Sequence, residues 1–390
     1  MQREEQIALI RRALALIEAR DSERGEPAMS PVARYLDAAR HEQEIERVFR
    51  RHPLALCPSA ALAEPGDVFA LDVAGLPLLI VCAEDGRLNA FVNACRHRGA
   101  RIAQPGRTSG RRVMVCPYHS WSYGLDGALR GRPHAQEFPH APPEQCSLAR
   151  VAVAEALGLV WVLPRVLAAG EGADLDIGAW LGRFGAQLRG FGYDGWKPVH
   201  ERSFENAANW RIPIEGNLET YHFQYAHRDS IAPLFHDNLL IADHDRRHQR
   251  IFLPKRSIEE LRHRQEGEWQ LGPHANIIHF FFPSTLILHE GDHANAFAVL
   301  PEGPGRSRVI GSTLVPQLPT TEKAHNYWRK NVESFWGALH EDFALGASVQ
   351  STLASGAQQA LHFGTTECCS AKFHRDVEEA LNTLEGQHSS

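Results

Sequence analysis

An α+β fold in two domains is predicted for this chain, from two contrasting patterns. Across residues 67–164, short β-type runs alternate with turn pairs such as Asp85-Gly86 and Asp126-Gly127, the texture of a compact antiparallel sheet. Further on, three β-type runs at 276–288, 295–300 and 307–315 precede a long helical pattern over 320–354. Strands followed by one long helix predict an α+β domain rather than alternating βαβ units.

The elements follow in order. Ile7, Leu9, Ile10, Leu14, Leu16 and Ile17 recur at helical spacing, so an amphipathic helix opens the sequence, and a second helical stretch is predicted over 31–50. The first sheet takes the runs 68–73, 77–82, 88–92, 113–116 and 151–162, and the Gly-rich stretch 168–172 reads as its exit linker. The expected division is a helical segment 1–50 packing on the larger domain, a small β domain 51–165, and the larger domain 166–390. No internal repeat and no GxGxxG between a strand and a helix is found.

Composition excludes several classes. The chain has 390 residues, 43% of them hydrophobic, which is enough for a full core in each of two domains. A formal charge of -6 and a pI of about 6.4 give no basic footprint, so nucleic acid is not an expected partner. The longest apolar run, 76–83, is far too short to span a bilayer, and the first residues are charged rather than signal-like. No membrane association and a cytoplasmic location are expected. Seven cysteines, two of them in a ligand pattern, fit a reducing compartment; Cys57, Cys82, Cys146, Cys368 and Cys369 read as buried or inert thiols.

Two short motifs carry the chemistry of the small domain: Cys95-Arg96-His97 and Cys116-Pro117-Tyr118-His119. Each loop offers one thiolate and one imidazole. A zinc finger places its histidines together after its cysteines, whereas a Rieske [2Fe-2S] centre takes Cys95 and Cys116 on one iron and His97 and His119 on the other. Neutral imidazoles leave such a cluster less negative than a four-thiolate one, so it accepts an electron at higher potential.

The larger domain holds a second constellation in the segment 209–227. On an ideal helix with Glu219 at zero, His222 falls at about -60° and His227 at about +80°, so one sector presents all three. Two imidazoles and one carboxylate with open positions form the facial triad of non-haem Fe(II). A third ligand is sought on the late helix. Trp328, Val332, Phe335, Leu339 and Phe343 make an apolar stripe; Asp342 lies near its centre and Glu341 points almost directly away. A carboxylate on a buried stripe needs a partner, which makes Asp342 the preferred third ligand over a buried salt bridge, with Glu333 and Glu367 weaker candidates. Glu219 is then left to orient a ligand histidine through its second ring nitrogen, or else to serve as a helix N-terminal carboxylate.

CxH with CPYHSW in the first domain, and NWR, ExxxExxHxxxxH and the late Glu341-Asp342 in the second, resemble the large terminal oxygenase subunit of Rieske non-haem iron oxygenases over nearly the whole chain. The resemblance implies a helix-grip catalytic domain, a curved antiparallel sheet around a long helix. It implies Cys95, His97, Cys116 and His119 as cluster ligands, His222, His227 and Asp342 as ligands of mononuclear Fe(II), and O2 as co-substrate. It further implies a homotrimer or a multiple of one, in which Glu219 links His119 of one subunit to His222 of the next. With no dinucleotide fingerprint in the chain, NAD(P)H is expected to act through a separate reductase, with or without a ferredoxin. The expected reaction is hydroxylation, dihydroxylation or oxidative demethylation of a small aromatic or quaternary-ammonium substrate.

Three positions depart from the usual pattern. Ser120 stands where Gly is common, which a polar loop is expected to tolerate; Gly216 replaces a frequent Asn; and Glu219, in place of Asp, resembles the carnitine, choline and betaine branch. Phe280-Phe281-Phe282, Tyr221, Phe223 and Tyr225 are candidate pocket aromatics, with plain core as the alternative. Stretches 236–238 and 289–293 are equally compatible with surface. Two other classes would use part of this pattern: an electron carrier without the second iron, and a zinc-stabilised ligand-binding protein with a helix-grip pocket.

Overall fold

The computed structural model describes residues 1–383. Two compact units divide the chain, one made of Met1–Val48 with Leu181 onward and the other of Phe49–Trp180.

The first unit opens with α1 (Arg3–Ala19), whose Leu9, Ile10, Ala13 and Leu14 are buried against Ile241, Phe252, Trp269 and Ile277. Burying a Leu or Ile side chain contributes about 1.5–3 kcal/mol, so this face alone fixes the helix. A short strand β1 (Ala28–Pro31) follows, then α2 (Ala33–Leu36) and α3 (Ala38–Arg47). The single helical stretch expected here is broken at Asp37, which adopts extended backbone and accepts from the Ala39 and Arg40 amides as the N-cap of α3.

The second unit contains β2 (Leu54–Pro58), β3 (Val68–Val73), β4 (Leu76–Cys82), β5 (Leu88–Val92) and β6 (Gly106–Thr108), then β7 (Met114–Val115), β8 (Ser122–Tyr123), β9 (Leu129–Gly131), β10 (Arg150–Ala156) and β11 (Leu159–Leu163). Seven of them form one antiparallel sheet in the order β2-β11-β10-β5-β4-β3-β6, and β7-β8-β9 form a smaller one. The run expected over 151–162 is a hairpin, turned by Leu157 and Gly158 with φ of 59 and 69°. Its two apolar strands lie so close in sequence that hydrophobicity alone shows no gap. Cys95, Cys116, Trp121, Tyr123 and Phe91 share one buried cluster beneath the two ligand loops.

Helix α4 (Ile177–Arg189) runs across the boundary between the units at Trp180 and Leu181 and is interrupted at Gly182 (φ 57, ψ -147). Then come β12 (Lys197–Asn206), α5 (Arg211–Asn217), α6 (Phe223–Ala226), β13 (Ile241–Asp245), β14 (His248–Pro254), β15 (Ala275–Phe281), β16 (Thr285–His289), β17 (Ala294–Gly303) and β18 (Arg306–Val315). The described residues close with α7 (Glu322–Leu353), β19 (Ala360–Phe363) and α8 (Cys368–Asn382). The sheet runs β12-β18-β17-β16-β15-β14-β13, antiparallel throughout, while β19 pairs with β1. More strands are present than the three runs expected from sequence. The run 276–288 is two strands joined at the Phe282-Pro283 turn. The others escaped because β12 is mostly exposed and β14 begins with buried His248, Gln249 and Arg250.

Helix α7 packs on the sheet through rings: Phe343 and Trp336 meet Phe204 of β12 edge-on, and Phe335 lies near Phe297 of β17. Gly311 of β18 permits that approach, since a Cβ there would sit 2.7 Å from both Trp336 and the Phe297 side chain. Among the described residues no helix is long and apolar enough to cross a membrane.

Candidate metal centres and substrate cavity

The first centre is built by two loops of matching design. In each, the cysteine carbonyl accepts the amide of the residue four positions on: Cys95 from Gly99 at 2.8 Å and Cys116 from Ser120 at 3.0 Å. Both closing residues are left-handed, with φ of 76° at Gly99 and 58° at Ser120. Ser120 is therefore not merely a tolerated polar residue. It adopts a conformation that costs a side-chain-bearing residue about 1 kcal/mol, which glycine would avoid.

This loop pair separates its four donors by type. The two thiols are buried neighbours, Cys95 4% and Cys116 1% exposed. The two imidazoles face one another with His97 Nδ1 3.1 Å from His119 Nδ1. A sulfur pair beside a nitrogen pair suits two irons with unlike ligands better than one tetrahedral zinc. Trp121 stacks on His97 with ring centroids 5.1 Å apart, and Phe138 closes the same ring edge-on. The Tyr123 hydroxyl accepts the Arg96 amide at 3.0 Å and lies 3.2 Å from Cys95 Sγ. Burial first, and the nearby sulfur second, raise the Tyr123 pKa, so the phenol stays protonated and can donate to that sulfur. Removing this donor destabilises the electron-rich reduced state. Tyr123→Phe is expected to lower the cluster midpoint potential by roughly 20–60 mV, about 0.5–1.4 kcal/mol in a one-electron couple, as read by redox titration of its visible spectrum.

The second centre differs locally from its sequence expectation. Glu219, His222 and His227 do not share one helix, because α5 ends at Asn217 and α6 covers only Phe223–Ala226. His222 and His227 instead flank α6 at its two ends. Their Nε2 atoms face Asp342 of α7, whose Oδ1 lies 2.8 Å from His227 and 3.6 Å from His222. The three donor atoms lie within 4.8 Å of one another. His222 Nε2 is buried with no hydrogen-bond partner, an orphan that a cation at this point would satisfy. Burial disfavours the protonated His227, yet Asp342 and Glu341 outweigh it and raise its pKa. The donor set and the orphan nitrogen thus fit a divalent metal.

Each histidine is held from behind by a carboxylate. Glu219 accepts from His222 Nδ1 and also takes the His222 amide at 3.2 Å. Glu341, expected to point away, lies 2.6 Å from His227 Nδ1 and accepts from Ser230 Oγ at 2.9 Å. The helical wheel failed here because it gives the direction of Cβ, whereas a half-exposed glutamate extends sideways to a ring packed against its helix. Glu333 is occupied with Arg329, and the Glu367 carboxylate accepts the Gly364 amide.

A cavity of about 300 Å³ opens from these ligands. Near the metal donors its walls carry the apolar Phe223, Phe235 and Leu339 beside Asn217 and Glu219, with Phe335 further back on α7. Farther along lie Lys255, Asn276, Glu290, Asp292 and Tyr327. Part of the stretch 289–293 is therefore cavity wall rather than plain surface. Phe280, Phe281 and Phe282 are fully buried core, and Tyr221 and Tyr225 are 53% and 72% exposed, so of the six candidate aromatics only Phe223 lines the cavity. A Cβ on Gly216, another wall residue, would meet nothing within 4 Å.

Comparison with known proteins matches a named domain around each centre. Residues 52–148 match the family described as "Rieske [2Fe-2S] domain", and residues 193–383 match "Ring hydroxylating alpha subunit (catalytic domain)". The choline monooxygenase of Beta vulgaris is 27% identical over 337 residues, 84% of this chain and 71% of that protein. The glycine betaine monooxygenase oxygenase subunit of Chromohalobacter salexigens is 30% identical over 193 residues, 49% of this chain and 41% of its own length. The fold matches that of the quaternary ammonium Rieske monooxygenase CntA with L-carnitine, with a TM-score of 0.74, 20% identity, and 90% and 95% of the two chains covered. Such proteins act on small molecules with electrons from a partner reductase. This chain belongs to the Rieske non-haem iron oxygenases and is a large, alpha-type oxygenase subunit.

Proposed function

We propose that Cys95, Cys116, His97 and His119 hold the [2Fe-2S] cluster, that His222, His227 and Asp342 hold Fe(II), and that the enzyme monooxygenates a quaternary-ammonium compound. The observation that carries this reading is the convergence of two imidazole Nε2 atoms and one carboxylate oxygen at the apolar end of a cavity. Iron held there supplies O2 binding and activation, with electrons arriving singly through the cluster. In the net reaction, one O2, two electrons and two protons turn a C–H bond into C–OH and release one water. NAD(P)H supplies the electrons through a reductase, with or without a ferredoxin.

The chain's own residues orient and enclose. Glu219 and Glu341 fix the two rings so that Nε2 faces the metal. Phe223, Phe235 and Phe335 line the cavity, exclude water and supply aromatic rings to a substituted ammonium group. The names of the relatives support that substrate class, and "inter-subunit electron transfer" in a solved relative supports an assembly in which electrons pass between subunits; a homotrimer with Glu219 between His119 of one subunit and His222 of the next goes with this reading. A cytoplasmic location goes with this reading.

Iron analysis tests it. Wild-type protein is expected to hold three irons per chain. His222→Ala, His227→Ala or Asp342→Ala is expected to hold two, with the cluster spectrum intact and substrate-dependent O2 uptake lost. Two irons in active wild-type protein would instead identify an electron carrier.

A further inference from the structure

The far end of the cavity has a use that the metal centre does not explain. Helix α7 lines the cavity from Asp342 back to Tyr327, and from Asp342 to Asn331 alone the helix advances about 16 Å. Across from it, the sheet changes character along its strands. Ile278 and Leu288 are register partners and apolar, whereas the next wall residues on their strands are Asn276 and, past the end of β16, Glu290. Lys255 lies just beyond the end of β14. The metal end thus combines rings and aliphatic side chains with the Glu219 carboxylate behind His222, and the far end carries charge of both signs.

Hydrogen-bonding capacity at that far end is unequally used. Glu290 accepts from Asn295 at 2.7 Å and Asn276 at 3.2 Å, one on each oxygen. Asp292 takes the Tyr327 hydroxyl at 2.7 Å on one oxygen and faces His293 Nδ1 at 2.8 Å with the other. All four carboxylate oxygens have a neighbour within the protein. Lys255, half-buried in the same wall, has no ion-pair partner among the described residues. A lysine offers three N–H donors, and at this end Lys255 is the charged wall residue whose head group meets no acceptor among the described residues. Desolvation lowers the Lys255 pKa, with Glu290 and Asp292 opposing that shift, which is the setting of an ammonium that gains from a bound anion.

The geometry points to Lys255 as the anchor for a carboxylate on the substrate, several bonds from the oxidised carbon, so that the preferred substrate is a zwitterion with its ammonium group at the metal end. Glu290 and Asp292 select against a ligand that brings negative charge alone. A molecule carrying both signs meets the cavity's apolar, ring-lined end with its ammonium and Lys255 with its carboxylate. The ammonium half of this assignment rests on the quaternary-ammonium reading above; the Lys255 half does not.

Calorimetric titration of the metal-loaded protein with choline, glycine betaine, gamma-butyrobetaine and hexanoate separates the two halves. Wild type is expected to bind gamma-butyrobetaine at least about tenfold more tightly than choline, and more tightly than the shorter glycine betaine. Lys255→Met should weaken gamma-butyrobetaine about tenfold to a hundredfold, the usual worth of a charge-assisted bond, and leave choline within about twofold. Lys255→Arg should retain most of the affinity. Lys255→Gln serves the same purpose as Lys255→Met if that variant loses cluster absorbance or thermal stability. Equal affinity for choline and gamma-butyrobetaine in wild type, unchanged gamma-butyrobetaine affinity in both neutral variants, or no binding of any carboxylate in the panel overturns the anchor. Binding of hexanoate that depends on Lys255, with no quaternary-ammonium compound bound, upholds the anchor and overturns the substrate class.

Discussion

Glu219→Leu is expected to leave the cluster spectrum and three irons per chain unchanged while slowing substrate-triggered reoxidation of the cluster by about 100-fold or more. Glu219 touches no metal donor nitrogen; it holds His222 at Nδ1 and at the backbone amide, so the ligand set survives its loss. Two duties then fail together. His222 loses the acceptor that fixes its tautomer and raises its basicity, an effect of about 10- to 100-fold for a group behind a ligand. In the trimer proposed above, the carboxylate placed between His222 and the neighbouring subunit's cluster is removed as well. Stopped-flow absorbance of the pre-reduced protein with substrate and O2 measures the rate. Glu219→Gln separates the duties: its amide oxygen still accepts from Nδ1, so recovery in Gln but not Leu assigns the loss to the hydrogen bond. Wild-type rates in Glu219→Leu would remove Glu219 from the electron path.

The largest stability effect is expected at a buried ion pair that holds no metal donor. Arg211 and Glu44 are 0% and 1% exposed, with Nη1 and Oε2 at 2.6 Å. Glu44 also accepts from Trp210 Nε1 at 2.7 Å and Arg40 Nε at 2.8 Å, and the Arg211 guanidinium lies over the Trp210 ring at 4.9 Å. Glu44→Gln leaves Arg211 charged and without its carboxylate in the interior, and breaking one side of such a pair costs about 3–5 kcal/mol. Urea unfolding followed by tryptophan fluorescence should show the loss. Replacing both residues by apolar ones of similar size should recover much of it, because the remaining charge and its desolvation then disappear together. A Glu44→Gln variant within about 1 kcal/mol of wild type would mean that Arg40 and its partner Glu378 reorganise to cover the gap.

That ion pair also marks a boundary between what the sequence discloses and what it conceals. Trp210-Arg211 was visible as a motif, yet nothing near it in sequence announced Glu44 as its partner. The cluster loops were legible because each is a local object, a cysteine and a histidine within one turn that closes on itself. Both histidines and Asp342 were legible as chemistry, although α5 and α6 replace the single helix assumed for them. Glu341 and Lys255 were not legible. Glu341 depends on the reach of a flexible side chain, and Lys255 on the register that brings β14, β15 and β16 to one end of a sheet. Such positions follow from long-range strand pairing, which one chain's spacing does not encode.

The division of the chain has a consequence for its birth on the ribosome. Residues 1–48 belong to the unit that resumes at Leu181, and β1 pairs Ala28 with Phe363 of β19. At about 5–20 residues per second, the first strand waits roughly 20–70 s for its mate to be synthesised. Phe49–Trp180 is contiguous and emerges whole in the meantime. The cluster-bearing unit can therefore mature while both ends of the oxygenase unit are still apart; α1 stays without cover for its apolar face until Ile241–Ile277 are made, and β1 stays unpaired longer still, until Phe363 emerges.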